Sequence, residues 1–242
     1  MKLHKYEIKD MHGACNATLS RLRDESECEL GVELELEGWW DKSKEETIEK
    51  IGSDLLEDYI YEIGTDVSVK DHGTEIRFNH FGISEWKLDE ITHILHCLKD
   101  AGLKTGPSAG MHIHYSCPDV SVLNKYWNSD KKHKMTLPFL SIGARSKPGG
   151  DDYGLGEDLF RDTEDEFGTF EIRAFETTLN PLVFYNRLVV TKYILDYIRL
   201  SGVFRILENM PRDIKKAYYF LCTTENPHIY GYGIDKIKQK LR

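Results

Sequence analysis

Residues 29–37 read Glu-Leu-Gly-Val-Glu-Leu-Glu-Leu-Glu, a two-residue alternation that only an extended strand turns into two separate faces. Leu30, Val32, Leu34 and Leu36 then line one side, and Glu33, Glu35 and Glu37 the other. The apolar side demands a cover, while the acidic side must meet either water or a cation. Two more segments repeat the pattern with other ligating residues, Gly110-Met111-His112-Ile113-His114 and Phe170-Glu171-Ile172-Arg173. His112 shares a face with His114, and Glu171 with Arg173, so three strands of this kind together predict the floor of one ionic site.

Around them the chain alternates helical and extended patterns. Ser43 and Glu46 form a capping box, and Ile48, Ile51, Leu55, Leu56, Tyr59 and Ile63 recur at helical spacing, which predicts a helix to about Ile63. Asp66–Val69 and Thr74–Phe78 read as a hairpin around Asp71-His72-Gly73. Ser84 is placed to cap a helix ending near Ala101, with Gly102 as its stop. The basic stretch from Asn124 to Lys134, which includes Lys131, Lys132 and His133, reads as a solvated turn, and the glycine-rich segment Ser146–Asp158 as a long loop. Asn180-Pro181 is a helix start, an N-cap with proline at the first helical position, for a helix to about Leu200. Helices are also expected over Pro211–Cys222 and Ile234–Leu241. With 242 residues and no repeat, the reading is a single domain over residues 1–242. Its fold class is α+β, a curved antiparallel sheet with helices on its outer face.

Composition narrows the function by exclusion. A net charge of -9 argues against a nucleic-acid backbone as partner. The most apolar stretch, Pro181 to Leu200, carries Arg187, Lys192, Asp196 and Arg199, so no membrane span is expected. Met1 to Glu7 lacks the apolar centre of a signal peptide, and a cytoplasmic location follows as the expectation. Five dispersed cysteines without a CxxC pair read as reduced thiols. His112, His114 and Cys117 have the residue types of a zinc site, as a minor alternative.

Same-face neighbours on a strand lie about 7 Å apart, so two carboxylates repel by about 2 kcal/mol at an effective dielectric of about 20, but only about 0.6 kcal/mol in water. An open sheet face tolerates that. A cleft does not, and there the glutamates must take up protons or enclose a cation. Oxygen-rich donors with little nitrogen point to Mg²⁺ or Mn²⁺ rather than zinc.

Four segments in order resemble the motifs of the amidoligase family: Gly31-Val32-Glu33-Leu34-Glu35; Asp66-Val67-Ser68-Val69 with Gly73-Thr74-Glu75-Ile76; Gly110-Met111-His112-Ile113-His114; and Thr169-Phe170-Glu171-Ile172-Arg173-Ala174-Phe175 followed by Thr178. That family comprises carboxylate-amine ligases with a glutamine synthetase-like catalytic domain. The resemblance implies ATP and Mg²⁺ or Mn²⁺ as cofactors, with amide or isopeptide bond formation through an acyl phosphate between small-molecule or peptide carboxylates and amines. It implies Glu33, Glu35, Glu75, His112 and Glu171 as metal ligands, and His112, His114, Arg173 and Arg145 as contacts to the nucleotide. Glu33, Glu171, Arg173 and Arg145 would serve catalysis, and Asp66 and Ser68 the substrate, while Arg77, outside the family's pattern, has the charge to recognise a substrate carboxylate. Glu37 has no counterpart in the motif. The sequence departs from the family after Glu75, where Arg77-Phe78-Asn79-His80 replaces a small residue and proline. Two other classes fit the same residues: a metal-dependent hydrolase that turns over without ATP, and a binding protein that keeps the fold without catalysis.

Overall fold

The Glu-Leu alternation lies near the centre of a sheet. A computed structural model describes residues 28–38, 44–66, 69, 73–106, 109–142, 160–163 and 168–225. Its strands are β1 (Glu29–Leu36), β2 (Ile60–Asp66), β3 (Gly73–Phe78), β4 (Gly110–Ser116), β5 (Phe160–Thr163) and β6 (Thr169–Glu176). They join in the order β2-β3-β1-β4-β6-β5, every neighbouring pair antiparallel. The fold is therefore α+β with a six-stranded antiparallel sheet, and β1 is flanked by the strands that carry Glu75 and the two histidines.

One face of the sheet is mainly apolar. Leu30, Val32, Leu34 and Leu36 of β1, Ile76 and Phe78 of β3, Met111, Ile113 and Tyr115 of β4 and Phe170 and Ile172 of β6 are all buried in one core. Helices supply the rest of that core: α1 (Lys44–Ile51), α2 (Ser53–Tyr59), α3 (Leu88–Asp100), α4 (Ser121–Trp127), α5 (Lys132–Ser141), α6 (Pro181–Ser201), α7 (Ile206–Asn209) and α8 (Arg212–Glu225). Helix α6 is buried on nearly every side, and α3 and α8 pack against it. The buried ions on α6 each have partners. Lys192 Nζ donates to Asp196 at 2.7 Å, Tyr115 Oη donates to the same carboxylate at 2.5 Å, and Arg187 donates to the Glu176 carbonyl at 2.5 Å with its guanidinium over Phe175. No described helix is long and apolar enough to cross a membrane.

The expected start of α6 is present. Asn180 Oδ1 accepts from the amides of Leu182 at 3.0 Å and Val183 at 3.3 Å, with Pro181 at the first helical position. Asn180→Ala should lower stability by about 1 kcal/mol, read as a shift of the urea midpoint with unchanged slope.

Four expectations need correction. The helix read to Ile63 breaks at Gly52, whose φ of 90° no other residue adopts cheaply, and ends at Tyr59. Ile60–Asp66 then forms β2, so the hairpin partner of β3 lies earlier than Asp66–Val69. The next helix starts after Lys87, with no side-chain cap, rather than at Ser84. Its stop is as read, because Gly102 takes φ 88° and the Leu103 amide reaches back to the Leu98 carbonyl at 3.3 Å. The stretch read as a solvated turn is largely helical, in α4 and α5. Its ammonium groups sit over aromatic rings: Lys131 over Tyr126, Lys132 over Trp127 at 3.9 Å and Lys134 over Phe204 at 4.2 Å. Ser43, Ser146–Asp158 and Ile234–Leu241 lie outside the described residues.

Candidate metal centre

Register decides which ligating side chains of the polar face meet. Glu33 of β1 stands opposite Arg77 of β3 on one side and His112 of β4 on the other. Glu35 stands opposite Glu75, and His114 opposite both Gly31 and Glu171. Of the residues read from sequence, Glu33, Glu35, Glu75, Arg77, His112, His114, Glu171 and Arg173 thus fall on one contiguous patch. Arg145 and Ser68, and the side chain of Asp66, lie outside the described residues.

The patch is largely withdrawn from water. Glu35 and Glu171 are 2% exposed, His112 4% and His114 6%. His112 stands among three carboxylates, its Nδ1 3.4 Å from Glu33 and 3.4 Å from Glu171, and its Nε2 3.6 Å from Glu35. His114 Nε2 lies 3.5 Å from Glu33, and Arg173 3.5 Å from Glu171. Burial works against ionisation of Glu33, but hydrogen bonds and charge from His112 and His114 outweigh it and hold the carboxyl well below the usual range. The stability that Glu33 contributes is therefore complete above its ordinary pKa of 4.5 and is lost as pH falls below it. Urea midpoints measured from neutral pH downward should fall more steeply for the wild type than for Glu33→Gln.

The expected ligands divide by environment. Glu75 is tied to Arg77 at 2.6 Å, and that guanidinium also reaches Glu62 at 2.8 Å and Glu33 at 3.5 Å. Glu35 accepts a hydrogen bond from the Gly110 amide at 2.6 Å, which fixes one of its oxygens. Among the described residues, Glu33, His114 and Glu171 present donor atoms that all lie within 4.8 Å of one another. His114 rather than His112 thus completes the tightest donor group. Cys117 does not join the histidines. Its thiol lies beside Cys28 and Tyr115 on the apolar face, which removes the zinc alternative.

Three contributors escaped the sequence reading. Thr169 Oγ1 hydrogen-bonds His114 Nδ1 at 3.0 Å and is itself held by Thr163 Oγ1 at 2.7 Å, a chain that turns the other ring nitrogen toward Glu33. His80 places its ring 6.3 Å from that of His114. Gly31 makes room for it, since a Cβ there would stand 2.3 Å from the His80 ring. The only sequence signal for this close approach is a glycine inside a strand pattern. Gly31→Ala should keep the fold but swing the His80 ring away from the sheet, visible as large shifts in the His80 ring NMR signals.

Beside this group a cavity of about 310 Å³ is lined by Glu33, Tyr61, Arg77, Asn79, His80 and His114. The patch can therefore bind a small ligand next to a cluster of cation donors. Neither the known protein-family models nor the curated protein sequences give a match to this chain.

Proposed function

We propose that the chain is an ATP-dependent carboxylate-amine ligase that joins a small-molecule or peptide carboxylate to an amine, on a glutamine synthetase-like catalytic sheet. The observation that carries this reading is the convergence of Glu33, His114 and Glu171 within 4.8 Å, beside a half-open cavity. Two carboxylates and one imidazole suit Mg²⁺ or, with the nitrogen donor, Mn²⁺, and three protein ligands leave positions open for other oxygens. The carboxylates of the patch outnumber its guanidiniums, so a divalent cation offsets charge that the protein leaves unbalanced. When bound, such a cation supplies neutralisation of phosphate charge during phosphoryl transfer.

The chain's own groups would do the rest. Arg173, beside Glu171, presents a permanently charged planar fork to an anionic oxygen. Arg77 is held rigid by Glu62, Glu75 and Glu33 and lines the cavity, where it orients a substrate carboxylate. Glu33, held ionised at the cavity wall, would serve as an anionic donor to the cation and attract an incoming ammonium. Thr169 and Thr163 hold His114 in one orientation.

Phosphate release separates this reading from its rivals. A ligase releases phosphate from ATP only when both a carboxylate and an amine are supplied. A hydrolase on the same residues turns over its substrate without ATP, and a binding module does neither.

A further inference from the structure

We propose that Cys28 and Cys117 form a reversible disulfide, a peroxide-sensitive modification site that staples β1 and β4, the strands that carry Glu33, Glu35, His112 and His114. The register of β1 and β4 pairs Glu29 with Ser116 as its last step, so the next residues outward, Cys28 and Cys117, face one another across the ladder. Their thiols are neighbours on the apolar side of the sheet, each shifting the other's pKa, and both are free. Directly opposed residues of antiparallel strands have a Cα separation within the range that a disulfide spans. The other described cysteines, Cys97 on α3 and Cys222 on α8, belong to separate helices.

The surroundings favour Cys28 as the attacking sulfur. The neighbouring Cys117 thiol draws its pKa down, against the opposing effect of burial. Burial pushes Cys97 up and Cys222 to about 12, so these two stay protonated and inert. Both members of the pair are buried at 3% and 7% exposure, but they stand beyond the last paired residues of the ladder, where strand ends open most readily to a small oxidant.

The chemistry balances with hydrogen peroxide as the two-electron oxidant. The Cys28 thiolate attacks the peroxide, the O–O bond breaks, a sulfenic acid forms and water departs after proton uptake. The Cys117 sulfur then attacks the Cys28 sulfur, the S–S bond forms as the S–O bond breaks, and the departing hydroxide leaves as water with the Cys117 proton. Two thiols and one peroxide give one disulfide and two waters. A thiol reductant such as glutathione reverses the change.

The test is peptide mapping of the intact chain after brief treatment with dilute hydrogen peroxide and blocking of remaining thiols. The expected result is a peptide pair linked through Cys28 and Cys117, lighter by two hydrogens and released by dithiothreitol, with Cys97 and Cys222 still blocked as thiols. Cross-linking should persist in Cys97→Ser and be lost in Cys117→Ser. Closing a loop of this length should also raise the melting temperature by about 5–15 °C. Recovery of both cysteines as blocked thiols while the protein remains folded, or their oxidation to sulfinic acid without a cross-link, would overturn the proposal.

Discussion

Glu171→Gln should abolish binding of Mn²⁺ at the candidate centre while leaving the fold intact. Glutamine keeps the size of the side chain but replaces an anionic donor by a neutral amide, in a group of three donors that share a 4.8 Å space. Loss of an outer partner of a metal ligand already costs about 10–100-fold in affinity, so loss of a ligand itself should cost about 100-fold or more. Stability without metal should change little, because two opposing effects meet there. Within 4.8 Å, repulsion between the Glu33 and Glu171 carboxylates is at least about 3 kcal/mol at an effective dielectric of about 20. Attraction of Glu171 to His112 at 3.4 Å and Arg173 at 3.5 Å offsets it. Thermal melts with and without Mn²⁺ read both quantities at once. An ion at about 100 times its dissociation constant should raise the wild-type melting temperature by about 5–10 °C, and that rise should vanish in the variant. A variant that melts far below the wild type without metal would make Glu171 a structural residue instead.

Asp196→Ala should be the most destabilising single change among the described ion pairs, by about 3–5 kcal/mol. Asp196 is 3% exposed and anchors both the Lys192 ammonium and the Tyr115 hydroxyl behind the sheet. Burial, and then the Asp196 charge, push the Tyr115 pKa upward, so the phenol keeps its proton and donates it to the carboxylate. Removal of Asp196 strands Lys192, itself 3% exposed, without a counter-charge. The double replacement Lys192→Met with Asp196→Leu removes both charges together and should recover most of the loss. Denaturant midpoints for the two proteins decide it: equal losses in the single and double variants would mean that packing, not the stranded charge, sets the cost.

How much of this was legible in the sequence follows from what alternation encodes. The parity of Leu30 to Glu37, of Met111 to His114 and of Phe170 to Ile172 assigns each side chain to a face, and the faces are as read. Parity carries no information on which strands are neighbours, so the meeting of Glu33 with His112 and Arg77 waited for the register. The same limit hid the grouping of His114 with Glu33 and Glu171, which lie on two other strands. Glu75 and Arg77, two apart on β3, could have been read as an ion pair from their spacing alone.

Helical periodicity misled where it continued across a break. Leu55, Leu56, Tyr59 and Ile63 keep the spacing of a helix, yet Gly52 interrupts it and β3 offers Ile60–Asp66 a pairing partner that outweighs local preference. The basic residues from Lys131 to Lys134 read as solvated because one of their aromatic partners, Phe204, lies some seventy residues later. Strand β5 went unread because four residues are too few to show a period, although Asp162 there ties Asn124 of α4 to the sheet edge at 2.8 Å.

The ligase reading stands on one binding event, the joint capture of nucleotide and divalent cation by the polar face of the sheet. Calorimetric titration with a non-hydrolysable ATP analogue, in the presence and absence of Mg²⁺, measures it directly. Binding that requires Mg²⁺ and disappears in Glu33→Gln is the predicted result. Absence of binding in both conditions, by a folded wild-type protein, would contradict the ligase and leave the carboxylate and histidine cluster to a chemistry without ATP.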